Sequence, residues 1–195
     1  MELLSQVDDA RKRWDVLRHP FYVRWECGEL TSSELRFYAG EYRHAVLALA
    51  HAAAASGDPG HAREEAEHVA LWDDFAAALD APLDREPAEE TRSCVQAWAR
   101  DDGLEALAVL YAVESAQPAI SRTKLTGLVE HYGFEPGSSG TRYFSLHAER
   151  DVAHAEEARA ALGALRGVDT PRLAAAAESA LRGNWLLLDG VERAG

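Results

Sequence analysis

Lysine is nearly missing from this chain: of its 20 basic residues only Lys12 and Lys124 are lysines, and the rest are arginines. Basic side chains of either kind are outnumbered by 33 acidic ones, for a formal charge of -13. No long Lys/Arg run occurs anywhere. Phosphate backbones need such a basic footprint, so nucleic-acid binding is not expected, and anionic membrane surfaces are disfavoured for the same reason. Cysteine is scarce too. Cys27 and Cys94 are the only two and form no Cys-x-x-Cys pair, which fits a reduced, cytoplasmic setting. No stretch approaches the roughly 20 apolar residues that a spanning helix requires. The opening Met1-Glu2-Leu3-Leu4-Ser5-Gln6 lacks a basic region followed by an apolar one, so no secretory signal is expected.

Strand-like alternation is also rare, whereas apolar residues recur at three- and four-residue spacing almost throughout. With 195 residues, 47% of them hydrophobic, the chain can bury a sizeable core. The expectation is one all-α domain over residues 1–195, a single bundle of about seven to eight helices. A first helix is expected over 3–18, ending before Pro20, and a short one follows around 21–28. Thr31 and Glu34 make a capping box that opens a long helix to about Ser56, and Gly57-Asp58-Pro59-Gly60 is a turn. Further helices are expected over 61–79, 89–100, 104–131 with a kink at Pro118, and 141–165. A last one opens at Thr170-Pro171.

Three of these helices carry groups with chemical potential. In His147-x3-Asp151-x2-His154 the offsets of four and seven return to within about 40° of the starting direction at helical pitch, so all three side chains stripe one face. A carboxylate between two imidazoles suits iron or manganese, although a solvated acidic face would look similar. Glu64, Glu65 and His68 offer a second set, in the Glu-x-x-His or i, i+4 form that helical di-iron bundles use. A charged surface helix would again look alike, with His61 and Glu67 in the same stretch. Glu114 stands alone inside the apolar Val109–Ser115 segment, where a buried carboxylate needs a metal, an arginine or a raised pKa. Together the three helices supply about six ligands, enough for a dinuclear site with open positions for O2. By residue type alone Lys124 reads as an ordinary surface lysine, and Tyr22, Tyr38, Tyr42 and Trp25 read as core.

At this point the chain resembles a known family, the chlamydial death-domain-associating proteins and their bacterial relatives. These lie within the TenA/PQQ-synthesis-C superfamily of haem-oxygenase-like folds. The resemblance rests on His19-Pro20-Phe21-Tyr22-Val23-Arg24-Trp25, on Gly28-Glu29-Leu30-Thr31 and on His68-Val69-Ala70-Leu71-Trp72. It continues through Leu110–Ser115, Lys124, Gly127-Leu128, His131–Phe134, and Tyr143-Phe144 leading into the His147, Asp151 and His154 set.

The resemblance implies two metal ions, iron and/or manganese, with O2 as cosubstrate and ligands at His68, Glu114, His147, Asp151 and His154. The remaining family ligand, a glutamate seven residues before the histidine, falls here on His61. A three-residue deletion would bring Glu64 into register, so Glu64 is the first choice, with Glu65 or His61 as substitutes. It also implies synthesis of 4-aminobenzoate, a folate precursor, by oxidative cleavage of a tyrosine of the chain itself with a lysine as amine donor. These positions match Tyr22 and Lys124. An external reductant and a homodimer are expected with it. Three other readings remain beside this one: a dimetal oxidase acting on a free amino acid or fatty acid, a metal-free enzyme like the PQQ-synthesis C protein, and a non-enzymatic interaction protein.

Overall fold

Thr31 and Glu34 close the expected capping box. Thr31 Oγ1 accepts from the Glu34 amide at 3.2 Å, and Glu34 Oε2 accepts from the Thr31 amide at 2.7 Å. The helix they open, α3, runs Ser32–Ser56 and stops at Gly57, whose φ of 93° lies in the left-handed region. The computed structural model describes residues 3–194, so residues 1, 2 and 195 at the ends of the expected domain lie outside the described residues. Before α3 come α1 (Leu3–Arg13), a 3₁₀ turn (Val16–Arg18) and α2 (Pro20–Glu26). After it come α4 (Pro59–Ala78), α5 (Glu89–Trp98), α6 (Gly103–Glu114), α7 (Gln117–Glu130), α8 (Ser139–Ala164) and α9 (Thr170–Ala194). Among the described residues there are nine α-helices and no strand, so the all-α class expected from the periodicity is the observed one.

Three boundaries differ from expectation, each for a local reason. α1 ends at Arg13, not near residue 18, because the Asp15 carboxylate turns back to accept from the Leu17 amide and opens the separate 3₁₀ turn. α4 starts two residues earlier than its apolar pattern, since Asp58 accepts from the amides of Gly60 and His61 and Pro59 fits the first turn. The helix expected over 104–131 is two helices. Pro118 cannot donate to a preceding carbonyl, so α6 ends at Glu114 and α7 restarts at Gln117 with the proline in its first turn. That break is what raises the count above eight.

α3 packs on α4, α5, α6 and α9, while α8 packs on α4, α6 and α7. The main core between them is heavily aromatic, with Tyr22, Trp25, Tyr38, Tyr42, Trp72, Phe75, Trp98 and Phe144 buried. α6 runs through the middle, and every residue from Ala108 to Glu114 is buried. A smaller apolar cluster of Leu3, Val7, Ala108, Leu162, Leu173 and Leu181 joins α1, α6, α8 and α9 at the other side of that helix. α8 thus packs on both α4 and α6, and the chemistry lies where side chains of the three converge.

Candidate metal centre

α8 turns His147, Asp151 and His154 inward, all buried. α4 turns His61, Glu65 and His68 toward them, at the same offsets of zero, four and seven. The two helices carry matching stripes, His61-x3-Glu65-x2-His68 and His147-x3-Asp151-x2-His154, and they meet antiparallel. The His61 and His154 rings lie 4.4 Å apart, and those of His68 and His147 lie 4.5 Å apart. Glu114, the last residue of α6, reaches in with Oε1 2.8 Å from His61 Nε2.

Among the described residues, donor atoms of His61, Glu65, Glu114 and His154 fall within 4.8 Å of one another, and so do those of Glu65, His68 and His147. Glu65 belongs to both groups. Its Oε1 lies 2.7 Å from His68 Nδ1 and 3.9 Å from His61 Nε2. Glu64, the first choice from the sequence, belongs to neither: one residue back on the helix it points outward and pairs with Arg150. Of the substitutes, both Glu65 and His61 are in the cluster. The signal that could have separated them from Glu64 was the repeated spacing, since only Glu65 reproduces on α4 the place of Asp151 between two histidines.

The cluster is under-satisfied as a protein environment. Glu114 Oε2, both oxygens of Asp151, His147 Nε2 and His154 Nδ1 are buried with no hydrogen-bond partner, and His61 Nε2 and His68 Nδ1 have only the carboxylate contacts just given. Polar atoms in such a position are costly unless something else binds them. Burial, and then the charges of Glu114 and Glu65, push Asp151 up to about 9. Burial likewise pushes Glu114 up to about 7, against the pull of His61. For Glu65 burial acts upward but His68 and His147 outweigh it, so its carboxyl is held below the usual range. Burial brings His147 down to about 4, which leaves its imidazole neutral and able to donate a lone pair. Its Nδ1 lies 2.7 Å from the Tyr143 carbonyl, an arrangement in which Nδ1–H donates and Nε2 faces the cluster.

An aromatic layer adjoins these donors. Tyr143 stacks on His147 at 4.0 Å and meets Trp72 at 4.9 Å, and Trp72 in turn lies 5.0 Å from Tyr42. Lys124 is enclosed beyond them, 1% exposed, with Nζ 4.6 Å from the Tyr42 ring and 5.2 Å from that of Tyr22. The Tyr22 hydroxyl is 3.1 Å from that of Tyr38. Burial drives the Lys124 amine well below its ordinary value and holds the Tyr22 phenol well above its own. Residue type alone would have placed Lys124 at the surface, and the structure buries it against Tyr22.

Four imidazoles and three carboxylates from three packed helices are the nitrogen–oxygen donor set of a bundle that can hold iron or manganese. Residues 33–187 match the model of a family described as iron-containing redox enzymes, and the chain belongs to that family. It is similar to the 4-aminobenzoate synthase of Chlamydia trachomatis serovar D, at 32% identity over 97% of this chain and 91% of that one. It is also similar to the 4-aminobenzoate synthase of Nitrosomonas europaea, at 33% identity over 96% of this chain and 89% of that one. Among solved structures it resembles a domain of unknown function with a heme oxygenase-like fold from Shewanella denitrificans. That match has a TM-score of 0.79 at 21% identity, covering 99% of this chain and 93% of the other. The fold is haem-oxygenase-like.

Proposed function

We propose that the chain is a non-haem dimetal oxidase that uses O2 to make 4-aminobenzoate from its own Tyr22, with Lys124 as the source of nitrogen. The observation that carries this reading is the placement of Tyr22 beside Lys124, in an aromatic layer stacked on a ligand-type histidine. The relatives named 4-aminobenzoate synthase support the product, and the iron-containing family supports the metal.

The residues fit two ions. His61, Glu65, Glu114 and His154 would hold one and Glu65, His68 and His147 the other. Asp151, outside both groups but buried beside them with both oxygens unpartnered, would add a carboxylate from α8. Iron or manganese bound there would supply the reduction of O2 and the oxidising equivalents. The protein's own part is positional. Tyr22 presents a phenol ring that burial keeps protonated, with its hydroxyl fixed against Tyr38. Lys124 presents an amine that burial keeps neutral, so its nitrogen holds a free lone pair; a guanidinium at this place could not be deprotonated. Rings of Trp72 and Phe144 around Lys124, and of Phe21, Trp25 and Tyr38 around Tyr22, exclude water from both. An external reductant, a homodimer and a cytoplasmic setting belong to the same reading, the last in keeping with Cys27 and Cys94 as free thiols.

The test begins with protein loaded with iron(II), manganese(II) or both without air, and with metal counted by elemental mass spectrometry. About two ions per chain are expected, and a value near zero would overturn the oxidase reading. The same protein, made with ring-labelled tyrosine and exposed to O2 and a reductant, should release labelled 4-aminobenzoate. Tyr22→Phe should bind metal as before and release none. Unlabelled product, or unchanged product from the variant, would remove Tyr22 as the source and turn attention to a free substrate.

A further inference from the structure

Glu64 stands about 100° around α4 from Glu65 and outside both donor groups. It is nevertheless tightly held. Its Oε1 accepts from Arg150 Nη2 at 2.6 Å and its Oε2 from Arg150 Nε at 3.1 Å, a two-pronged pair from α8 to α4. The same Oε2 lies 3.1 Å from Nε2 of His154. With both oxygens taking N–H donors from the Arg150 guanidinium, the Glu64 carboxylate acts toward His154 as an acceptor. The proton of a neutral His154 is therefore on Nε2, and the lone pair is on Nδ1. That atom is buried, has no hydrogen-bond partner and lies 3.8 Å from Asp151 Oδ1.

We propose that Arg150 and Glu64 form an outer-sphere support that fixes His154 as a ligand through Nδ1, which makes Glu64 a positioning residue for one of the two metal positions. The inference rests on the metal centre proposed above and concerns how one of its ligands is held. His147, four residues from Asp151 on the other side, is oriented by a different partner, the Tyr143 carbonyl, and so faces the cluster with Nε2. The two histidines of α8 thus present opposite nitrogens. A carboxylate behind an imidazole raises its basicity and sets its tautomer more firmly than a carbonyl does. His154 has particular need of such support. With His61 it borders a surface cleft of about 260 Å³ whose rim includes Gly57, Asp58 and Glu157, so its ring has room to turn outward. An exposed Arg–Glu pair contributes little to stability in itself, which separates this role from a merely structural one.

The test is anaerobic titration of metal-free protein with cobalt(II), followed by its visible absorption and by competition with a chelator. The proteins are wild type, Glu64→Ala, Glu64→Gln and Arg150→Met, each with its thermal midpoint recorded. Wild type should take two ions. Glu64→Ala should still take two, one of them bound about 10- to 100-fold more weakly and with an altered cobalt spectrum. Glu64→Gln, whose amide oxygen can still accept from Nε2, should restore most of the affinity, and Arg150→Met should lose less than Glu64→Ala. Binding and spectrum unchanged in Glu64→Ala would reduce the contact to a surface ion pair and overturn the inference. Loss of one ion from both Glu64 variants would overturn it as well, by making Glu64 a ligand itself. Failure of wild type to bind cobalt would sink the metal centre and this inference with it, a result distinct from either.

Discussion

Lys124 sits with its nitrogen 4.6–5.7 Å from the centres of five aromatic rings, those of Tyr22, Tyr38, Tyr42, Trp72 and Phe144. Ring faces attract a cation, but full burial removes the water that a charged amine needs, and burial wins: the pKa falls well below 10.5. The neutral amine of the fold faces a protonated amine in the unfolded chain, so below about pH 10.4 the unfolded state binds the extra proton. Stability from this residue is therefore present only above the ordinary lysine value and is lost as pH falls. Lys124→Met should then be more stable than wild type near pH 7. Urea unfolding at pH 6, 7.5 and 9 checks this, and the advantage should shrink as pH rises. The same variant should release no 4-aminobenzoate. The near-absence of lysine elsewhere is what marked this residue in the sequence, and the resemblance gave it a role, but its burial among rings depends on helix contacts that no local pattern reveals. The choice among Glu64, Glu65 and His61 was open for a related reason. Adjacent residues on a helix differ by about 100°, and only the position of α8 decides which of two glutamates faces in.

At the scale of elements, α2 and α7 bring Tyr22 and Lys124 together, and a single close approach sets their spacing. A Cβ on Gly127 of α7 would lie 2.6 Å from Trp25 Cδ1, 2.7 Å from its Nε1 and 3.1 Å from its carbonyl oxygen. Trp25 has little freedom to move, because its Nε1–H donates to the Lys124 carbonyl at 3.1 Å and its own carbonyl accepts from the Tyr132 hydroxyl. Alanine is the better helix former by about 1 kcal/mol. Forcing the two helices apart costs about 1–3 kcal/mol as overpacking, so the steric effect should win or at least cancel the gain. Gly127→Ala is therefore expected to lower the thermal midpoint and to cut product yield. Its metal content should hold, since the donors come from α4, α6 and α8. Loss of metal together with product would mean instead that the strain spreads through the bundle. Much at this scale was readable beforehand: the capping box at Thr31, a chain reversal at Gly57-Asp58 (though Pro59 and Gly60, expected in the turn, already belong to α4) and the helical class followed from local chemistry. What was not readable were the stops. Asp15 bonding to Leu17 and the two-residue break before Pro118 are competitions between nearly equal local conformations, which tertiary packing settles.

Across the whole molecule, three helices converge seven titratable side chains on a region with little water, an arrangement that stays costly unless cations enter it. Without metal, burial and then the neighbouring charges of Glu114 and Glu65 push Asp151 up to about 9, and burial, helped by Glu65, pushes Glu114 up to about 7. A carboxyl whose folded pKa is raised contributes stability that is complete below its unfolded value and is lost as pH rises through the folded one. For Asp151 that window runs from about pH 4, where the free carboxyl titrates, to about 9. Lys124 acts in the opposite direction over the same range, so the metal-free protein alone gives a flattened profile. The difference between loaded and metal-free protein removes the lysine contribution, which both forms share. Metal takes carboxylates in their ionised form, so binding expels protons and tightens as pH rises. The stabilisation given by manganese(II), read as the gap between the two thermal midpoints at fixed metal concentration, should therefore widen from pH 6.5 to 9. The slope should approach about 1.4 kcal/mol per pH unit for each proton expelled. Asp151→Asn, which has no proton to lose, should bind more weakly and show a flatter gap. A gap independent of pH in the wild-type protein would mean that Asp151 stays protonated beside the ions and outside their coordination shell. Glu114, raised to about 7, would have to keep its proton as well, which would leave Glu65 as the carboxylate that holds the centre.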